Sequence, residues 1–477
     1  MFNNPLLSKA NDLIKPLFKS RILWIFLLCM IIYNINFHPI PNYDTVTARV
    51  LPWNIFEYHT LYLDKFADSP AFRMQLVPLG HEEHYLTISP ITLPVLITPF
   101  YAIPYVMVKA LNIDISLNNP TFVIISLIAE KIIASIITSL SVVILYLCLR
   151  KLISENHALL CSLVYAFGTS TWVISSQALW QHSMGELLLA LIFLIILWII
   201  EKESLSLYAF LGVVSALYAL NRPPDAVFLI PVVLLVLLTK NFRKIAVYSG
   251  ALAFSSSPFI LYNLLNFGSL FGGYIANATL LQLSPAIPVA VLGYLVSPNR
   301  GIFFFSPVLI FSLVGFWVVL KNKVTLNLTI RRTVLLFSLC IPLNLLIFCS
   351  FPIWWGGESF GYRYLVDALP IFAVLLGFAT EARGLLKSPM KSLVKYVFML
   401  FVIWSIVVQV CGAFYYYYDW DMKTSQHESV NSNPARIWNI TDMQIFYGVV
   451  MNPNPYDLLL YKLRENRGSS FNLTRAQ

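Results

Sequence analysis

The chain is poor in charge. Only 12% of its 477 residues are Asp, Glu, Lys or Arg, against about a quarter in an ordinary soluble domain. So little charge cannot cover a water-facing surface of this size, which excludes a soluble cytosolic enzyme. Cysteine pairs at metal-ligating spacing are also missing. Cys29, Cys148, Cys161, Cys340, Cys349 and Cys411 all sit inside apolar runs, where a thiol behaves as a small hydrophobic group. A zinc ribbon and a soluble disulfide framework are excluded together. No internal repeat and no low-complexity linker interrupts the chain, which argues against an inverted-repeat transporter.

Hydrocarbon is what the chain has in quantity. Apolar residues make up 58% of it and the mean hydropathy is +0.73. Several apolar runs approach or exceed the roughly 17 to 20 residues that span a membrane core. The fold class expected is an all-α polytopic membrane protein. The net charge of +9 resides in loops between apolar runs, where it reports orientation and not nucleic-acid binding. Lys9, Lys15, Lys19 and Arg21 precede an apolar run over 22–37 that ends without the small-residue site of a cleaved signal peptide. Residues 1–21 therefore read as a cytoplasmic N-terminus and the run as an uncleaved first span.

Apolar segments fall near 22–37, 88–111, 121–149, 157–175, 183–200, 205–220, 225–239, 245–264, 302–320, 333–351, 366–382 and 396–414. If all of them crossed, Arg150-Lys151, Lys240 with Lys244, Lys321 with Arg331 and Lys387 with Lys395 would lie opposite the basic N-terminus, against the positive-inside rule. Segment 88–111 carries Pro90, Pro94, Pro99 and Pro104, each of which removes a backbone donor and kinks a helix. Assigning it to the outer surface or a re-entrant position restores the parity and leaves about 11 transmembrane helices within 22–414. The outer segments are then a first loop at 38–87, a loop at about 265–300, the stretch 352–365 and a short tail at 415–477. Long outer segments are where chemistry is expected. The aromatic opening of the tail, Tyr415 to Tyr418 and Trp420, reads as an interfacial belt.

Asp44 follows the first span, so its carboxylate is expected at the outer membrane surface, a suitable place for a general base; Glu57 and Asp64 in the same loop are the fallback bases. The stretch from Trp354 to Leu365 packs Trp355, Gly356, Gly357, Glu358, Gly361, Tyr362 and Arg363 ahead of a span. Glycines there allow tight turns, and Arg363 has the paired donors that suit a phosphate. Arg300 and Arg222 have the same placement, and outer-face arginines ask for an anionic partner; for Arg222, Asp225 lies close enough in sequence to serve. Gln181-His182 and Glu186 form a polar patch at the outer start of another span. Glu130-Lys131, inside the third apolar segment, read equally well as a structural pair or as a functional site. His81-Glu82-Glu83-His84 has the side chains of a metal site without the spacing of a known motif; His81 and His84 are weak candidates, and a divalent metal is not favoured.

These residues resemble, in their order along the chain, the bacterial members of the GT-C superfamily of integral membrane glycosyltransferases, the group with protein O-mannosyltransferases and the lipid A aminoarabinose transferase. The resemblance is carried by Asn42-Tyr43-Asp44-Thr45 with Leu51-Pro52, Trp180-Gln181-His182, Asn221-Arg222-Pro223-Pro224, Ser297-Pro298-Asn299-Arg300-Gly301 with Ser306-Pro307, and Trp355-Gly356-Gly357 followed by Gly361-Tyr362-Arg363-Tyr364-Leu365 and Leu369-Pro370. It implies a polyprenyl-phosphate-linked sugar as donor, a catalytic aspartate in the first outer loop, and juxtamembrane helices in that loop. One departure is that the Asp-Glu pair of the protein O-mannosyltransferases reads Asp44-Thr45 here. The expectation is an inverting transfer to a lipid, glycan or protein hydroxyl at the outer face of a bacterial inner membrane. Asp44 would be the base, Arg363, Arg300 and Arg222 the phosphate ligands, and Glu57, Asp64, Trp180, His182, Trp355, Glu358 and Tyr362 the surroundings. No cofactor is identified, and a divalent metal is possible but not favoured. The alternative is a transporter or lipid flippase coupled through Glu130-Lys131.

Overall fold

The computed structural model describes residues 21–69, 76–78, 84–273, 286–382, 389–424 and 427–451. Its helices, in chain order, are α1 (Arg21–Asn34), α2 (Tyr43–Tyr58), α3 (Thr92–Ile97), α4 (Ala102–Ala110), α5 (Pro120–Arg150), α6 (Glu155–Phe167), α7 (Gln181–Glu201), α8 (Leu205–Asn221), α9 (Ile230–Leu238), α10 (Phe242–Phe267), α11 (Ile287–Val296), α12 (Ile302–Phe305), α13 (Ile310–Leu320), α14 (Leu328–Cys349), α15 (Leu369–Ala382), α16 (Met390–Tyr415) and α17 (Gln444–Met451). One antiparallel ribbon, β1 (Leu76–Pro78) against β2 (Tyr85–Thr87), departs from the all-helical expectation. Among the described residues, seven helical runs are long and apolar enough to cross a membrane: Thr92–Ala110, α5, α7, α10, α14, Arg363–Ala382 and α16. Apart from that ribbon, the architecture is that of a helical polytopic membrane protein.

Local sequence explains where these helices begin and end. Asn42, Asn119, Asn241 and Asn327 each turn a side-chain oxygen onto the first free N–H groups of α2, α5, α10 and α14, satisfying donors that a helix start leaves open. At Asn42 the cap is reciprocal, because Thr45 accepts from the Asn42 backbone N–H. Gly268, in the left-handed region, ends α10. Pro99 opens a 3-10 turn, Thr98–Tyr101, that separates α3 from α4, so segment 88–111 is a broken helix lying along α2.

The centre of the molecule is α5, α7 and α15, with α1, α6 and α8 packed around α5 and α7 and α13 against α15. Buried Ser135, Thr138, Ser139 and Ser141 line α5, and small residues of this kind let neighbouring backbones approach closely in lipid. By contrast α10 is peripheral, with Phe254 and Leu265 about four-fifths and three-quarters exposed, as suits a helix facing lipid.

Every apolar segment read from the sequence coincides with helix. The loop at 265–300 conceals α11, whose ten residues are too few to register as a span. The tail corrects the belt reading. Tyr416 and Trp420 are buried, and the Trp420 indole lies under the guanidinium groups of both Arg300 and Arg436, at 5.3 and 4.5 Å. Tyr418 donates to the Ile40 carbonyl, and the Tyr417 ring stacks on His38 at 4.3 Å. Tyr416, Tyr417 and Tyr418 look like membrane anchors in sequence, but they pack into a small layer that the described residues of 416–451 fold onto the helix ends.

Candidate active site

Asp44 lies in the first turn of α2, its backbone N–H held by the Asn42 side chain. The same asparagine donates through Nδ2 to the Glu358 carbonyl at 2.8 Å, which ties the start of α2 to the stretch 352–365. Arg363 opens the 3-10 turn Arg363–Ala368 that leads into α15. Across 319 positions of sequence, its Nη1 meets Asp44 Oδ2 at 2.7 Å. The guanidinium also rests on the rings of Trp180, at 4.7 Å, and Tyr364, at 5.1 Å, contacts that favour a cation. Its Nε is buried without a hydrogen-bond partner. The Arg363 side chain is 12% exposed and that of Asp44 48%, so the arginine is walled in and the carboxylate faces outward.

Behind this pair is a second charged layer. His182, in the first turn of α7, bonds through Nδ1 to Asp367. Arg222 Nη1 lies 2.7 Å from the same Asp367 oxygen and 3.0 Å from Asp225 Oδ2, and its guanidinium sits 4.6 Å from the Phe348 ring. The other Asp225 oxygen accepts from Asn344 Nδ2 at 2.7 Å. Room for the Asp367 carboxylate exists because position 185 is glycine; any Cβ there would collide with Oδ1. The layers meet at Tyr364, whose ring is touched by both arginines.

Beside them the loop carrying Glu358 is shaped by glycine. Gly356, Gly357 and Gly361 have φ of +84°, +63° and +63°, values that a side chain resists, and a Cβ on Gly361 would press into the Phe305 ring. Arg300 holds the turn. Its Nε donates to the Trp355 carbonyl at 3.0 Å and its Nη2 to the Gly357 carbonyl at 3.1 Å, while Asp421 at 2.6 Å and Gln444 at 2.8 Å take further donors. Asn431 joins the tail to the loop, accepting from Trp355 Nε1 and donating to Glu358 Oε1. Burial pushes the Glu358 carboxyl above its ordinary range, with the negative charges of Asp421 and Asp44 adding to the effect.

The structure thus brings together Asp44, Arg363, Trp180, His182, Arg222 and Glu358. It sets the other candidates apart. Glu57 accepts from Tyr105 at 2.9 Å and Lys109 at 3.0 Å, and the Lys109 bond holds its carboxyl below the usual range. Asp64 is occupied by His84 Nδ1 at 2.8 Å and the Tyr85 N–H at 2.7 Å, and His84 stacks on Tyr62. Arg300 is fully buried with Nε, Nη1 and Nη2 all on protein acceptors, so the sequence expectation of a phosphate ligand gives way to a brace for the loop. Arg222, between two carboxylates, likewise has its anions within the protein. Tyr362 is buried with its hydroxyl on Ser306 and the Ser170 N–H, and Trp355 is buried with its N–H on Asn431; both are packing residues. His81, Glu82 and Glu83 lie outside the described residues. Among the described residues, no three of His, Cys, Asp or Glu gather as a metal site.

Glu130 and Lys131 point in different directions, as neighbours on a helix must. Lys131 Nζ is ringed by Asn36 Oδ1, the His38 carbonyl and Gln177 Oε1 at 2.9, 2.9 and 2.5 Å. Glu130 faces Arg49 at 3.5 Å and accepts from the Leu179 N–H. Sequence reasoning missed Asp367 and Asn431, and it quoted Asn42 and Tyr364 only within longer motifs, without a role of their own. Asp367 was within its reach, since a carboxylate inside the apolar run 366–382 falls under the same rule that singled out Glu130. No protein-family model and no curated protein matches the chain. What the arrangement offers chemically is an exposed carboxylate able to accept a proton, in contact with a caged arginine that keeps an unused donor for an anion.

Proposed function

We propose that the protein is a membrane glycosyltransferase, moving a sugar from a polyprenyl-phosphate carrier to an acceptor hydroxyl at the outer face of a bacterial cytoplasmic membrane. The observation that carries this reading is the contact of Asp44 with Arg363 beside Trp180, which joins a proton acceptor and an anion ligand at one exposed point. In the transfer, the acceptor oxygen attacks the anomeric carbon and its proton passes to Asp44. The bond from that carbon to the phosphate oxygen breaks, its electron pair leaves with the phosphate, and the configuration inverts. A phosphate needs no general acid to depart, only compensation of its growing charge, which Arg363 supplies. The acceptor is a lipid, glycan or protein hydroxyl.

Eleven crossings, with the N-terminus inside and α3–α4 kept at the outer surface, suit the contacts between helix ends. Arg21 pairs with Glu155 at 3.3 Å, Lys151 with Glu201 and Lys244 with Glu203 at 2.6 Å, and His157 with Glu381 at 2.7 Å; this topology puts all of these on the inner face. It puts Asp44 and Arg363 together on the outer one. A crossing through Thr92–Ala110 would send Asp44 and Arg363 to opposite faces, and Arg21 and Glu155 likewise. The transporter alternative has less support, because Glu130 and Lys131 each have partners within the protein.

The test is genetic and chemical. Cells whose only copy carries Asp44→Asn are expected to lose one sugar from a lipid or envelope glycan in mass spectra, with protein levels unchanged. A glycan profile identical to the parent's would refute Asp44 as the base.

A further inference from the structure

Resting on the reading above, the Asp44–Arg363 contact raises a question of occupancy. The guanidinium Nη1 that would receive a donor phosphate already donates to Asp44 Oδ2 at 2.7 Å, and one N–H cannot serve both anions at full strength. One of the two carboxylate oxygens that could accept a hydroxyl proton is turned onto the arginine. As it stands, each group spends one of its atoms on the other, so the anion site is partly filled and the base partly covered.

We infer that the pair is a latch: Asp44 is the resident anion on Arg363, and the phosphate of the polyprenyl carrier displaces it, so that the carboxylate becomes available to the acceptor only once the donor is bound.

Four features of the site support displacement of the aspartate and not of the arginine. The Arg363 guanidinium is fixed by the Trp180 and Tyr364 rings, and Trp180 is itself buried. Asp44 is about half exposed on a short side chain whose other anchor is only its own backbone N–H on Asn42. Arg363 Nε is buried with no partner, so the guanidinium is incompletely satisfied until a larger anion with several acceptor oxygens reaches both edges. The remaining charged groups near Arg363 are held elsewhere: Asp367 by Arg222 and His182, Asp225 by Arg222 and Asn344, and Glu358 by Asn431. Asp44 is thus the carboxylate that a phosphate must compete with. The latch imposes an order, donor before acceptor, and it keeps the base covered while the site is empty.

The test uses polyprenyl monophosphate, which carries no sugar and cannot turn over, with neutral polyprenol as the control. Binding of both to the purified full-length protein is compared among parent, Asp44→Asn, Asp44→Ala and Arg363→Gln. Removing the competing anion is expected to tighten monophosphate binding by about fivefold in both Asp44 variants, the size of one partly exposed ion pair, with polyprenol unchanged. Arg363→Gln is expected to lose the preference for the phosphate over the alcohol. If Arg363→Gln loses that preference while both Asp44 variants bind the monophosphate no tighter than the parent, the latch is overturned and Arg363 stands as the phosphate ligand. If the preference survives in Arg363→Gln, the latch falls together with the phosphate role of Arg363.

Discussion

Glu358 shows how one carboxyl responds to its surroundings. Burial, with Asp421 and Asp44 close by, raises it in the folded protein above the value of about 4.3 that an unfolded chain would have. Between those two values the folded protein binds more protons than the unfolded chain, so stability falls as pH rises through that window, and the deficit persists above it. Glu358→Gln removes the charge while keeping an acceptor for Asn431. Its unfolding temperature in detergent is predicted to exceed the parent's at pH 8, with the gap closing as the pH is lowered toward 4. A gap of the same size at both pH values would contradict the account. Asp44 and Arg363 were legible individually, because each stands at the outer end of an apolar run. Their contact was not, since nothing local links positions 319 apart. Arg300 was misread for the same reason: an outer-face arginine advertises an anion, and the anion it found, Asp421, lies far along the tail.

At the scale of elements, the loop 352–361 is held between helices and tail by Arg300. Fully buried with Asp421, this ion pair makes a sharp prediction. Arg300→Met leaves a buried carboxylate uncompensated and is predicted to cost about 3–5 kcal/mol of stability. Adding Asp421→Asn removes that charge and is predicted to recover part of the loss, so the double variant melts above the single one. A double variant that melts below Arg300→Met would show that the pair does not act as a unit. Helices were the most legible elements, because a long apolar run in lipid has few alternatives. The outer layer was the least legible: its stability comes from side chains such as Trp420, Arg436 and Asn431 that meet only after the chain has folded back.

For the whole molecule, the proposed arrangement of eleven crossings with the N-terminus inside is open to direct test. Single cysteines at the exposed positions Asp68, Asn118 and Lys202, in a background without native cysteine, report it directly. A thiol reagent that does not cross membranes is predicted to label Asp68→Cys and Asn118→Cys in intact cells, and Lys202→Cys only after permeabilisation. Labelling that splits Asp68 from Asn118 would mean that Thr92–Ala110 crosses. That the chain is a helical membrane protein was readable from its apolar runs alone, while the proposed topology rests on charge and proline, which act through the bilayer and not through tertiary contacts. The clustering of Asp44, Arg363, Trp180 and Glu358 was not readable, because it depends on how the starts of α2, α7 and α15 meet.

The central claim is that a polyprenyl-phosphate sugar binds at Arg363 and reacts beside Asp44. It is tested most directly by mass spectrometry of the lipids that purify with the parent protein and with Asp44→Asn. The account predicts a polyprenyl phosphate in both, and a hexose- or pentose-bearing form enriched in the variant, whose donor cannot be discharged. Bulk phospholipid alone in both preparations, after gentle extraction, would contradict it.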